Sequence, residues 1–302
     1  MYFENLQREL FERKLKMGEY FKRAFESLKV FIEKNKKVVS LLVVANICTF
    51  FFNVLQQIIK AEIKVASQVG DTDAILRGSM LSFLLSVGVL MISAGTGLIR
   101  AVVYSKIACE IEGRENEYRF KNVALKYLKF IGIYLLSVLI IGIVVSLLAT
   151  ITTIIFLVLT KNTEVGFSKY LPLIISMTMY VIIIFLIVLN ILYFIQTFYA
   201  RDMKVTDTFK YNLSLSKKNR LRILVPQLIL GLINCIFIIP LFIQSFIYIP
   251  SYIVFPVSII CGIISSVLGL VSIIMNMIIF LNVEYDYLKK QDEEMRKIEE
   301  NI

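Results

Sequence analysis

The sequence predicts an all-α, polytopic membrane protein with six transmembrane helices, and three observations predict it. Of 302 residues, 58% are hydrophobic and only 19% charged, with a mean hydropathy of +0.76, which an ordinary soluble globule does not reach. The apolar runs are continuous and at least about 20 residues long, the length a helix needs to cross the hydrocarbon, whereas barrel strands would alternate over about ten residues. The stretch 199–227, YARDMKVTDTFKYNLSLSKKNRLRILVPQ, lies between two such runs with seven basic residues against two acidic ones. An island of that kind belongs in water or at a head-group surface between two spans.

Residues 1–37 hold ten Lys or Arg and six Glu, with Phe3, Leu6, Leu10, Met17, Phe21, Leu28 and Phe31 at helical spacing. They predict a basic amphipathic helix, bent near Gly18, lying on an anionic leaflet. No short apolar core with a small-residue cleavage site follows, so no cleaved signal peptide is expected. Spans are expected at about 38–59, 79–103, 130–157, 171–199, 223–247 and 257–283. A mixed segment at 60–78 and a short loop at 159–170 join the first two pairs. The proline-bounded stretch 250–256 marks the last turn, because proline cannot donate into a helix interior. A charged tail, 284–302, follows.

Lys and Arg set the orientation. The N-terminal segment, the islands 100–129 and 201–222 and the tail carry 10, 7, 7 and 4, against 3, 2 and 0 in the alternate loops. Both termini and the tail are therefore expected in the cytoplasm. The net charge of +10 belongs to this asymmetry and calls for no nucleic-acid partner.

Within the island, Val205, Phe209, Leu213 and Ser216 predict a short amphipathic helix on the membrane surface, with Thr206 or Asp207 placed to cap it. Phe25 and Phe120 begin similar stretches, each ten residues ahead of Asn35 or Phe130 as Phe209 is ahead of Asn219. The closing spans end on Tyr104, Tyr199 and Tyr285. Three parallel repeats follow from this spacing, each an amphipathic helix and a hairpin of spans, with the tyrosines at one depth. The basic group Lys217, Lys218, Arg220 and Arg222 is the candidate site for anionic lipid head groups.

The spans are nearly free of ionisable groups, which argues against ion-coupled pumps and ion-selective pores. Their polar content is amide: Asn46, Asn53, Gln56 and Gln57 in the first, Asn190 and Gln196 in the fourth, Gln227, Asn234 and Gln244 in the fifth, Asn276 and Asn282 in the sixth. These suit interhelical hydrogen bonds worth about 1 kcal/mol each; Asn190, Gln196, Asn234 and Asn276 are alternatively the lining of a ligand cavity. Ser82, Ser86, Ser93 and Gly97, with Ser258, Gly262, Ser265, Ser266 and Gly269, mark close-packed faces. Pro226 and Pro240 are expected to kink the fifth span.

Cys48, Cys109, Cys235 and Cys261 are scattered and read as reduced, buried thiols. With no histidine in the chain, histidine bases and the usual zinc and haem sites are excluded. No nucleotide loop or nucleophile motif occurs, and Glu110, Glu112, Glu115 and Glu117 read as a solvated acidic loop. No catalytic, metal or cofactor-binding residue is expected.

The segment Tyr199-Ala200-Arg201-Asp202-Met203-Lys204-Val205-Thr206-Asp207-Thr208-Phe209, followed by Ser214-Leu215-Ser216-Lys217-Lys218-Asn219 leading into the fifth span, resembles the six-span membrane domain attached to some bacterial glycerophosphodiester phosphodiesterases and its stand-alone relatives. The likeness extends in layout over nearly the whole chain. It implies a bacterial cytoplasmic-membrane protein with an accessory, lipid-linked role. The phosphodiesterase barrel is not part of the likeness, so neither its activity nor catalytic residues carry over. Two functions remain in view: a non-enzymatic scaffold or lipid-interacting protein, and a permease-like subunit moving a neutral or amphiphilic molecule between repeat units, which would need a partner ATPase for active transport.

Overall fold

In the computed structural model, which describes residues 2–160, 171–243 and 250–299, helix makes up 91% of the described residues and no strand occurs among them. The elements are α1 (Tyr2–Glu12), α2 (Met17–Lys34), α3 (Lys36–Val69), α4 (Thr72–Ile111), α5 (Phe120–Thr160), α6 (Leu171–Asn190), α7 (Phe194–Ala200), α8 (Val205–Ser216), α9 (Arg220–Ile243) and α10 (Ser251–Glu299), with a 3-10 turn at Glu115–Glu117. Six segments are long and apolar enough to cross a bilayer: α3, α4, α5, the α6–α7 stretch, α9 and α10. The chain is a multi-pass helical membrane protein. At about 1.5 Å per residue, the 34 residues of α3 and the 49 of α10 run about 50 and 75 Å, well beyond about 30 Å of hydrocarbon. Their ends therefore stand outside it.

The architecture is organised around α10. From Leu270 to Glu284 almost every side chain on every face of this helix is buried; a helix apolar all round has to be enclosed. Helices α1, α2, α3, α4, α7, α8 and α9 enclose it, forming one closed lobe. Away from the lobe, large apolar side chains such as Phe83, Leu84, Leu136 and Leu232 are exposed, as lipid-facing surfaces must be.

The N-terminal segment differs from expectation. Its break lies at residues 13–16, between α1 and α2, while Gly18 sits inside α2. Phe3, Leu6, Leu10, Tyr20, Leu28 and Phe31 are buried in the core with α4 and α10, not spread on a leaflet. The physical reason is that α10 presents apolar groups all round, and α1 and α2 cover a face nothing else reaches. Asn282 of α10 fastens the bend: its Oδ1 accepts from the Leu15 N–H at 3.1 Å and the Tyr20 hydroxyl at 2.7 Å, and its Nδ2 donates to the Leu10 and Arg13 carbonyls, both at 2.8 Å.

The first hairpin is also tighter than the expected 60–78 connection. Helix α3 continues to Val69 and α4 begins at Thr72. Gly70 closes α3 in the left-handed region at φ 77°, where a side chain would be strained, and Asp71 caps α4 by accepting from the Ala74 N–H at 2.9 Å. The last hairpin differs too, since α10 already starts at Ser251 and contains Pro256. Helix α9 runs unbroken through Pro226 and Pro240. The 161–170 part of the second loop, and Gln244, lie outside the described residues.

Span four, expected to be continuous, breaks at 191–193 between α6 and α7. The buried side chain of Asn212 in α8 repairs the break, accepting from the Tyr193 N–H at 2.9 Å and donating to the Asn190 carbonyl at 2.6 Å. This is how interrupted helices are tolerated at membrane depth.

Asn35 and Asn219 divide α2 from α3 and α8 from α9, and each turns its amide back to the carbonyl four residues earlier, Phe31 at 3.3 Å and Leu215 at 3.1 Å. Such back-bonding competes with the helix ladder. Phe130 cannot do this, and α5 runs straight through it. On α8 the inward face is Thr208, Asn212, Leu215 and Ser216, leaving Phe209 and Leu213 exposed. Phe25, Phe120 and Phe209, the first residues of the three stretches, are 51%, 56% and 42% exposed, so the apolar ring points away from the protein each time.

Candidate functional site

The structure holds a buried charge cluster where α4, α7 and α10 meet and a cavity between the spans. In the first, Arg201, just past α7, reaches Glu112 with two bonds of 2.8 and 2.7 Å and Glu284 of α10 with one of 2.9 Å and a second, shorter one. Arg114 also bonds Glu112, Tyr211 of α8 donates to Glu284 at 3.0 Å, and Tyr285 to Glu112 at 3.4 Å. Burial pushes the Glu112 carboxyl up, but Arg201 and Arg114 outweigh it and hold it below the ordinary 4.5. Burial opposes the charge on Arg201, yet Glu284 and Glu112 raise it above its usual range. The Tyr211 hydroxyl is raised by burial and by the Glu284 carboxylate.

Glu110 and Glu112 are therefore not part of a solvated loop, which corrects the reading of the acidic run. A run of alternating Glu looks solvated; only the arrival of Arg201 and Asn35 from distant parts of the chain makes two of the four worth burying. No pattern in the sequence pairs Arg201 with Glu112 and Glu284.

The second assembly is a cavity of about 940 Å³ between α3, α4, α5, α7, α9 and α10. Along α4 it extends from Leu90 to Arg100 and Tyr104, and along α9 from Gln227 to Asn234 and Ile238, so it is about 20 Å long at 1.5 Å per residue. Its walls are mostly apolar: Phe50, Phe130, Ile131, Leu135 and Leu268, among others. Polar groups break the wall at intervals. Ser265 donates to Asn234 Oδ1 at 2.9 Å, and Tyr127 lies across α4 with its hydroxyl on the Ala94 carbonyl at 2.6 Å. A side chain at Gly97 would collide with that Tyr127 ring, which gives the small residue there a packing role. Tyr104 and Tyr199 stack at 6.2 Å with their planes 14° apart and form part of the wall. Arg100 points into the cavity region with no hydrogen bond or ion pair among the described residues.

The expected lining residues separate. Asn234 lines the cavity. Asn276 is buried just behind it, its Nδ2 3.5 Å from the wall residue Ser272. Gln196 is buried in α7, and with its amide turned over its nitrogen would donate to the carbonyls of Leu192 and Tyr193, while Asn190 serves the helix break, accepting from Arg220 at 2.7 Å. The amides of Gln196 and Asn190 are thus structural. Asn46, Arg100 and Gln227 face the cavity instead.

The expected head-group cluster is also divided. Lys217 and Lys218 are exposed, Lys218 at a positive φ of 69°. Arg220 is held by Asn190, and Arg222 turns partly inward, with Nη1 buried and unpaired. All four cysteines are free, but Cys235 is exposed on the outer surface of α9 and only Cys261 is buried. No group of three metal-ligating side chains occurs among the described residues.

Fold and site define a six-span helical membrane protein with an amphipathic cavity between its spans and a buried ionic joint at one end. No family model matches the chain, and no curated protein or solved structure matches it either.

Proposed function

We propose that this protein is a non-enzymatic, lipid-interacting protein of the bacterial cytoplasmic membrane, with both termini cytoplasmic, that holds one amphiphilic molecule in the cavity between its spans. The observation that carries this is the pairing of a long apolar cavity with the unpaired Arg100 on its wall. Arg100 is exposed on that wall; where this stretch of α4 lies in lipid an unpaired guanidinium is costly, and the anionic end of a lipid supplies a partner while its chain fills the apolar length. The exposed Phe25, Phe120 and Phe209 support seating of the lobe at the membrane surface, and the 28 against 5 division of Lys and Arg supports the orientation. This placement agrees with the likeness to the membrane domain of glycerophosphodiester phosphodiesterases.

A permease-like role for the same cavity is the second reading, favoured by the break between α6 and α7 next to it. A partner ATPase on co-purification would support that reading.

The test uses Gly231, which lines the cavity and has nothing within 4 Å of where a Cβ would lie. Gly231→Leu fills the space without a collision at that atom. Mass spectrometry of co-purified lipid should show a stoichiometric amphiphile in the wild type and its loss in Gly231→Leu and Arg100→Gln. Equal lipid in all three would overturn the proposal. Reporter fusions at residues 165 and 252 should lie outside the cytoplasm.

A further inference from the structure

A second, smaller cavity of about 430 Å³ lies where the chain leaves the lobe for the first span, lined by Lys34, Asn35, Lys106, Cys109, Glu110, Glu115 and Tyr118. At its centre Asn35, only 6% exposed, stands between two charges of α4. Its Nδ2 donates to Glu110 Oε1 at 2.6 Å, and its Oδ1 accepts from Lys106 Nζ at 2.8 Å. Lys106 and Glu110 are four residues apart on one helix and would ordinarily pair directly. The inserted amide keeps them apart and leaves both incompletely used. Glu110 is 8% exposed, and its Oε2 is buried with no hydrogen-bond partner. Lys106 makes one hydrogen bond among the described residues and otherwise lies over the Tyr118 ring, 5.2 Å from its centre, and Lys34 stands at the rim, bonded to Glu115 at 2.9 Å.

A buried carboxylate oxygen without a donor is an open demand for an N–H or O–H group. A simple anion would meet Lys34 and Lys106 but also Glu110 and Glu115. A simple cation would satisfy Glu110 but face the two lysines. A molecule with both charges a few bonds apart answers both ends. We propose that this cavity binds a phosphoethanolamine group, with the primary ammonium at the Glu110 carboxylate and the phosphate on Lys106 and Lys34. Asn35 acts as the positioning residue, holding the two charges at a fixed separation before the ligand arrives. The cavity adjoins the junction of α2 with α3, at the end of the first candidate span, where a phosphatidylethanolamine lipid would present the group without leaving its leaflet.

The test takes the full chain in nanodiscs of phosphatidylglycerol doped with phosphatidylethanolamine, and measures retained lipid by mass spectrometry. Free phosphoethanolamine, phosphocholine and inorganic phosphate serve as competitors. Phosphatidylethanolamine should be enriched over its bulk fraction. Phosphoethanolamine should displace it, while phosphocholine, whose quaternary nitrogen has no N–H, should not. Displacement by free phosphoethanolamine without enrichment of the lipid would make the soluble compound the ligand of the same site. Glu110→Gln and Lys106→Gln should each weaken retention about tenfold, the effect of losing one charge-assisted hydrogen bond. Lys34→Gln, at the exposed rim, should weaken it with thermal stability unchanged, so a folding defect in the buried variants does not decide the matter. Equal competition by phosphocholine or inorganic phosphate, or unchanged retention in both Glu110→Gln and Lys34→Gln, would overturn the proposal. Gly231→Leu, which fills the other cavity, should leave this binding intact.

Discussion

Arg201 and Glu112, 89 residues apart in the chain, meet through two parallel hydrogen bonds of 2.8 and 2.7 Å, and the opposite edge of the same guanidinium is taken by Glu284. One planar cation thus ties the end of α7 to the end of α4 and to the central α10. Its five fixed donors match two carboxylates in a way a lysine cannot. The joint closes the lobe at the mouth of the spans.

Removing the cation should leave two buried carboxylates facing each other. Arg201→Ala is expected to destabilise the protein by about 3–5 kcal/mol, the range for breaking one side of a buried ion pair. Arg201→Lys should fall between it and the wild type, because it keeps the charge and loses the fork. Thermal unfolding of the purified protein in detergent checks both, and an unchanged midpoint in Arg201→Ala would refute the structural role.

The same joint makes stability depend on pH in one direction. The folded-state pKa of Glu112 lies below the ordinary 4.5, so its contribution is fully present above about pH 4.5 and is lost as pH falls through the folded value. Unfolding midpoints should drop on acidification below pH 4.5. In Glu112→Gln that drop should be smaller, with lower stability already at neutral pH. A Glu112→Gln protein with the wild-type acid profile would show that other carboxyls govern it.

Asn282 satisfies two carbonyls, one N–H and one hydroxyl at the α1–α2 bend. Asn282→Ala leaves these groups unpaired in a buried place, at about 1–3 kcal/mol for each one that water does not reach. The expected result is earlier release of α1, read as faster amide exchange over residues 2–16 with the spans unaffected. Asn282→Asp, which keeps the acceptors and loses both donors, should be intermediate.

Asn212→Ala should act on span four. Without that side chain, the Tyr193 N–H and the Asn190 carbonyl lose their partners at the break, and residues 190–194 should exchange amide protons faster than in the wild type. If the exchange there is unchanged, the break does not rely on α8.

The class of fold was legible from the chain because water and lipid act on runs of residues. Twenty consecutive apolar side chains define a span wherever they pack, and clusters of Lys and Arg mark the connections. Small residues were legible in part: Gly97 lies under Tyr127 and Gly262 against the backbone of Ile47, with Ser258 and Ser266 buried nearby, whereas Ser86 and Ser93 are exposed and Gly269 has nothing close to it. Asn35 and Asn219 stood out at the helix starts, and each does interrupt a helix through a bond to its own preceding turn.

What the chain could not reveal are the contacts set by distant partners. The apolar stripe of α1 and α2 looks the same whether it rests on a leaflet or on α10, since both remove it from water; only the uncovered face of α10 decides. Glu112 in a run of acidic residues looks solvated, and is buried because Arg201 and Arg114 converge on it. Among the amides, Asn190 and Asn234 are equivalent in sequence, yet one repairs a helix break and the other faces a cavity. Span and surface are local properties of the sequence, while the burial of a charge and the shape of a cavity depend on which helices meet, and that was decided by tertiary packing around α10.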